Sequence, residues 1–187
     1  MEEDELRAVT IGELKPYATK VVVTEYDPRW PEWFATNKSK IEAALGQVAL
    51  SVEHTGSTSV PGLPAKPIID VLLQVPDSAA EPTYVPALEA AGYTLRIREP
   101  EWLEHRCFYV RGGSHDVNLH VFSPRYAAEE IHRILAFRDW LRTHPDDRDR
   151  YAAVKRELST RDWRYVQDYA DAKTPIVEEI LAKALAT

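Results

Sequence analysis

Cysteine is nearly absent from this chain: Cys107 is the only one among 187 residues. A lone cysteine closes no internal disulfide and excludes every zinc motif built on cysteine pairs, which suits a reducing compartment. Positive charge is also short. Lysine and arginine number 23 against 30 aspartates and glutamates, so the formal net charge is −7. That balance argues against non-specific binding to nucleic acid or to an anionic membrane surface, while leaving room for a local basic groove. No apolar run has membrane-spanning length. The first ten residues, MEEDELRAVT, hold no signal-peptide core, so we expect no export and a cytoplasmic location. Several motifs are missing too. There is no HExxH, EF-hand loop or dinucleotide fingerprint, and no Gly-Lys-Ser/Thr follows Gly56 to Gly62 as a P-loop requires. Gly56-Ser57-Thr58 lacks the second glycine of a nucleophile elbow.

What the chain does contain is organised around His54 to Val75, HTGSTSVPGLPAKPIIDVLLQV. A short strand-like run, Val48 to Val52, leads into a loop dense in Gly, Ser, Thr and Pro. An almost continuous apolar run, Ile68 to Val75, follows and is interrupted by one charge, Asp70. A carboxylate inside so apolar a strand is costly unless it is paired, hydrogen-bonded or holding a metal. The loop before it offers Ser57, Thr58 and Ser59 hydroxyls, backbone amides around Gly56 and the cation Lys66. Donors beside a lone acid suggest a site for a phosphate and a divalent cation. A structural loop with a capped strand-end aspartate is the other reading.

The length suits one domain, residues 19–187, behind a polar leader over 1–18 that we expect to be poorly ordered. Lys20 to Glu25 reads as a short strand. Asp27 as N-cap with Pro28 at the first helical position opens a helix whose Trp30, Trp33, Phe34, Ile41 and Leu45 share one face, ending at Gly46. Tyr84 to Ala91 reads as a helix, Tyr93 to Arg98 as a strand, and Cys107 to Val110 with Asp116 to Phe122 as a hairpin turning at Gly112-Gly113. The last third is helical. Ser123-Pro124 opens one helix and His144-Pro145 ends it. Tyr151, Val154 and Leu158 mark a second; Trp163, Val166 and Tyr169 mark a third. Thr174-Pro175 kinks that helix or begins another.

In the strand DVNLHVF, period-two geometry puts Asp116, Asn118 and His120 on one face. Such a face holds a metal, orients a water or is simply solvated. His54, His105, His115, His132 and His144 read individually as surface or satisfied core residues. Tyr169 and Lys173, four apart, face the same way on their helix.

The stretch HTGSTSVPGLPAKPIIDVLL closely resembles the hallmark of the GrpB family. YDPRWPEWF, HRCFYV, DVNLHVF, FRDWLRTHP, YAAVKREL and YVQDYADAK extend the resemblance over about residues 20 to 185. It implies an α/β (α+β) fold: a minimal nucleotidyltransferase-like mixed sheet flanked by helices, with a helical C-terminal third. In that superfamily the Gly-Ser loop holds a nucleoside triphosphate, and strand carboxylates bind the divalent metal. Carried over here, Gly56, Ser57, Thr58 and Ser59 form the phosphate loop, and Lys66, Arg106, Tyr169 and Lys173 line the phosphates. Asp70 and Asp116 would hold Mg²⁺, and His120 would take the acceptor's proton. The implied reaction moves a nucleotidyl group from ATP or another triphosphate to a small-molecule or protein acceptor. The second strand carboxylate of the superfamily is missing, because Leu72 stands two residues after Asp70. A non-catalytic binding or folding-assistance module, like the GrpB-like domain fused to dephospho-CoA kinase, is the alternative. Neither reading sets an oligomeric state.

Overall fold

A computed structural model describes residues 3–14 and 21–186. Five strands form one mixed sheet in the order β1-β2-β5-β4-β3: β1 (Ser51–Thr55), β2 (Ile68–Gln74), β3 (Thr94–Glu99), β4 (His105–Val110) and β5 (Asp116–Phe122). Only β2 and β5 run parallel. Around the sheet lie α1 (Glu3–Val9), α2 (Trp30–Leu45), α3 (Val85–Ala90), α4 (Pro124–Thr143), α5 (Pro145–Ser159), α6 (Val166–Ala172) and α7 (Thr174–Ala184). This is the mixed sheet with flanking helices and a helical C-terminal third that the sequence predicts.

Alternation along the strands sorts the two sheet faces. Ile69, Val71 and Leu73 of β2 and Val117, Leu119 and Val121 of β5 point to one side, where they pack with Trp30, Ile41, Tyr84 and Leu88 in the main core. The opposite face carries Asp70, Asn118 and His120, because successive strand residues point to opposite sides. Leu72 and Phe122 close its far end against Ala127 and Ile131 of α4. A second cluster ties α4, α5 and α7 to Val60 and Leu63, which follow the loop after β1. The C-terminal helices are thereby fixed over the polar face.

Several boundaries differ from the sequence reading for local reasons. Helix α2 starts at Trp30, not Pro28: Asp27 takes the backbone N–H of Arg29 at 2.9 Å and holds the chain in a turn first. In the predicted strand Lys20 to Glu25, Lys20 lies outside the described residues. Among the described residues of that run, Thr24 makes an isolated bridge to Ala65. The first strand begins at Ser51 because Gly46–Val48 coil into a 3-10 turn. Thr174 begins the separate helix α7. Within the leader, α1 is helical and Thr10 bridges to Ile97 of β3, while residues 1–2 and 15–18 lie outside the described residues. Among the described residues no helix is long and apolar enough to cross a membrane.

Candidate functional site

The loop between β1 and β2 is built around Gly56. Its φ of 68° and ψ of −169° lie in a region that essentially only glycine occupies. A methyl group there would lie 2.3 Å from Asp70 Oδ2. The loop backbone therefore rests directly on the carboxylate. Beyond it, Ser57–Ser59 form one 3-10 turn. The Ser59 hydroxyl donates to the Gly56 carbonyl at 2.6 Å, and the Thr58 hydroxyl reaches the Ile68 carbonyl at 3.3 Å and His54 Nε2 at 3.0 Å. Both hydroxyls are buried and hold the loop's shape. Ser57 is half-buried, less covered than the other two, and its hydroxyl accepts a bond from Lys155 Nζ at 3.0 Å. The same ammonium is bound by the Pro64 carbonyl and lies over the Tyr151 ring. Burial and the positive charge of Lys173 push Lys155 down to about 6.

Asp70 sits mid-strand, opposite Thr55 of β1 and Asn118 of β5. Asn118 Nδ2 donates to Asp70 Oδ1 at 2.8 Å, while Asn118 Oδ1 accepts from Arg111 Nη2. Because the guanidinium can only donate, it fixes which end of the amide faces the carboxylate. Burial raises the Asp70 pKa, opposed by the Asn118 bond and then by the charges of Lys66, Lys173 and Arg111. Lys66 is pulled down to about 8 by burial and by Lys173. Lys173 is lowered by burial, with Asp70 opposing. Lys66 Nζ lies 5.4 Å and Lys173 Nζ 4.8 Å from the centre of the buried Tyr169 ring, so both cations gather at one aromatic while their charges act on Asp70.

The structure brings Gly56, Ser57, Asp70, Lys66, Tyr169 and Lys173 together at one place on the polar face. Thr58 and Ser59 support them from inside the loop. Arg106 is not part of the site. It precedes Cys107 on β4, so it points to the other face, where Glu81 at 2.6 Å and Glu104 at 3.0 Å neutralise it. Asp116 lies opposite Ile68, one pleat away from Asp70. Its Oδ1 accepts the Gly112 N–H at 3.2 Å and its Oδ2 faces Arg111 Nε at 3.8 Å, which closes the β4–β5 hairpin. A magnesium ion shared by Asp70 and Asp116 does not fit this donor set. The residue facing Asp70 is an amide, Asp116 is committed to its turn, and two lysines supply positive charge where a hard cation needs several oxygens. His120 Nε2 stands 4.0 Å from Asp70 Oδ1, but partial burial and the neighbouring His105 lower its pKa, which weakens it as a base.

Sequence reasoning missed Lys155, Tyr151, Asn118 as the partner of Asp70, and Arg111. Asn118 acts across the register of the parallel β2–β5 pair, Arg111 from the turn after β4, and Lys155 and Tyr151 from a helix far along the chain, so no local pattern marks them. Asn118 carried the one available signal, its strand face.

Comparison with known proteins gives the family of the chain. The sequence profile described as GrpB protein matches residues 20–183. The chain belongs to the GrpB family. It is 59% identical over 185 residues to the UPF0157 protein BH1888 of Halalkalibacterium halodurans, covering 99% of this chain and 93% of that one. The crystal structure of conserved protein GrpB from Enterococcus faecalis superposes with a TM-score of 0.74 at 32% identity, covering 87% of this chain and 98% of that one. A dephospho-CoA kinase of Mycolicibacterium paratuberculosis is 29% identical over 182 residues, covering 84% of this GrpB chain but 44% of the kinase. GrpB-like sequence is therefore found within longer kinase chains.

Proposed function

We propose that the recess over Asp70 binds the polyphosphate of a nucleoside triphosphate, with lysine ammonium groups doing what a metal does in related sites. The observation that carries this reading is the convergence of Lys66 and Lys173 on Asp70 beside the Ser57 turn, both with pKa values lowered by burial and Lys66 lowered further by Lys173. Crowded, partly desolvated cations are costly alone and are relieved by an anion. The reaction such a loop serves in the superfamily it resembles is nucleotidyl transfer. A small-molecule or protein acceptor attacks the α-phosphorus, the bond to the bridging oxygen breaks, and pyrophosphate leaves.

A second reading, a non-catalytic binding or folding-assistance module, is favoured by Asn118 facing Asp70 and by Leu72 in place of a second acid. One screen addresses both. Thermal melts with nucleoside triphosphates in EDTA are expected to rise with ligand concentration, by about 2.7 kcal/mol of stabilisation at a hundred times Kd. Absence of a shift with every nucleotide, with or without Mg²⁺, sinks the nucleotide site. Pyrophosphate release with a candidate acceptor separates transfer from binding alone.

A further inference from the structure

A second constellation lies farther along the same sheet face. His105 and Cys107 are two apart on β4 and so share a face, and Cys107 is directly opposite His120 on β5. One ring nitrogen of each histidine and Cys107 Sγ lie within 4.8 Å of one another. His105 Nδ1 meets Glu99 Oε2 at 2.6 Å, which orients its ring and leaves Nε2 to face His120 Nδ1 at 3.1 Å. The remaining nitrogen of His120 faces Asp70. Phe122 stacks on His105 with ring centres 4.6 Å apart, and Trp102 packs edge-on at 5.2 Å, giving the group an apolar wall.

We propose that His105, Cys107 and His120 form a binding site for Zn²⁺. Three neutral-nitrogen and thiolate ligands suit a borderline-soft cation rather than magnesium. With Zn–N bonds of about 2.0–2.1 Å, tetrahedral geometry sets neighbouring nitrogens about 3.3 Å apart, close to the spacing between His105 and His120. The Cys107 sulfur makes a long contact to the Phe108 carbonyl, at 3.8 Å. A small shift toward the histidines replaces that contact with a metal bond. Carboxylates behind ligating histidines are the usual outer partners that fix ring orientation, and Glu99 holds His105 in that way while Asp70 faces His120. His120 keeps 35% of its side chain exposed, so an ion has a way in. Three protein ligands leave a fourth coordination position for water or a ligand oxygen.

The single cysteine makes the test unambiguous. Tag-free protein stripped with chelator is titrated with Co²⁺ as a spectroscopic substitute for Zn²⁺. One equivalent is expected to bind with a thiolate-to-cobalt charge-transfer band in the near ultraviolet, and Zn²⁺ should displace it. Cys107→Ser is expected to abolish the band. Glu99→Gln keeps all three ligands and is expected to retain the band while weakening affinity roughly 10–100-fold. Far-UV circular dichroism checks that each variant folds, and Glu99→Gln carries the test if Cys107→Ser does not. No stoichiometric binding, bound cobalt without the thiolate band, or unchanged affinity in Glu99→Gln would overturn the proposal.

Discussion

Replacing Gly56 with alanine is expected to cost about 3 kcal/mol of stability and to abolish ligand binding at the loop. Two effects combine. The φ of 68° with ψ of −169° is strained for any residue with a side chain, by roughly 1–3 kcal/mol. The new methyl also meets Asp70 Oδ2 at 2.3 Å, so the loop or the carboxylate has to move. Asp70→Ala removes that oxygen but not the backbone strain. In a double-mutant cycle, the pair should therefore cost less than the sum of the single changes. Denaturant melts of the four proteins measure this coupling. Strict additivity would mean that loop and acid are not in contact, and the account of the site would lose its base.

Stability is expected to climb as pH rises above neutrality, against the trend of most proteins. Lys155 is 3% exposed and titrates at about 6 in the folded chain, below the ordinary 10.5. Between those values the unfolded chain holds a proton that the folded chain has lost, so raising pH favours folding. Below about pH 6 both forms are protonated and the full penalty of the buried charge applies. One group contributes a slope of roughly 1.4 kcal/mol per pH unit inside the window, or about 2 kcal/mol between pH 6.5 and 8. Lys66, at about 8, adds in the same direction only above its own pKa. Lys155→Met should flatten the profile between pH 6.5 and 8. A wild-type profile already flat there would show that Lys155 remains charged, held by Ser57 and the Pro64 carbonyl.

Two signals made the sheet face that carries the site legible. DVNLHVF alternates and so puts Asn118 and His120 on one polar side, while in the almost continuous apolar run Ile68 to Val75 the single charge of Asp70 marks itself. Family resemblance then joined the Ser57 loop to Asp70. What a one-dimensional pattern cannot supply is which residue stands opposite which. Asn118 rather than Asp116 meets Asp70 because the parallel register pairs it so, and a shift of one pleat would have reversed the roles. Arg106 failed for a similar reason. It sits one residue from Cys107 on β4, so alternation turns it to the apolar face, where Glu81 neutralises it. Lys155 was hidden differently. On α5 it looks like any helical surface lysine, and only the packing of that helix over Val60 and Leu63 turns it inward onto the loop.

Isothermal titration of ATP in EDTA, into wild type and into Lys173→Met, tests the lysine-lined recess most directly. The account predicts saturable one-to-one binding without metal, weakened about tenfold or more in the variant, a loss of about 1.4 kcal/mol. It also predicts proton uptake in buffers above pH 7, because bound phosphates restore charge to Lys66. Binding that appears only when Mg²⁺ is added, or that is undiminished in Lys173→Met, would contradict it.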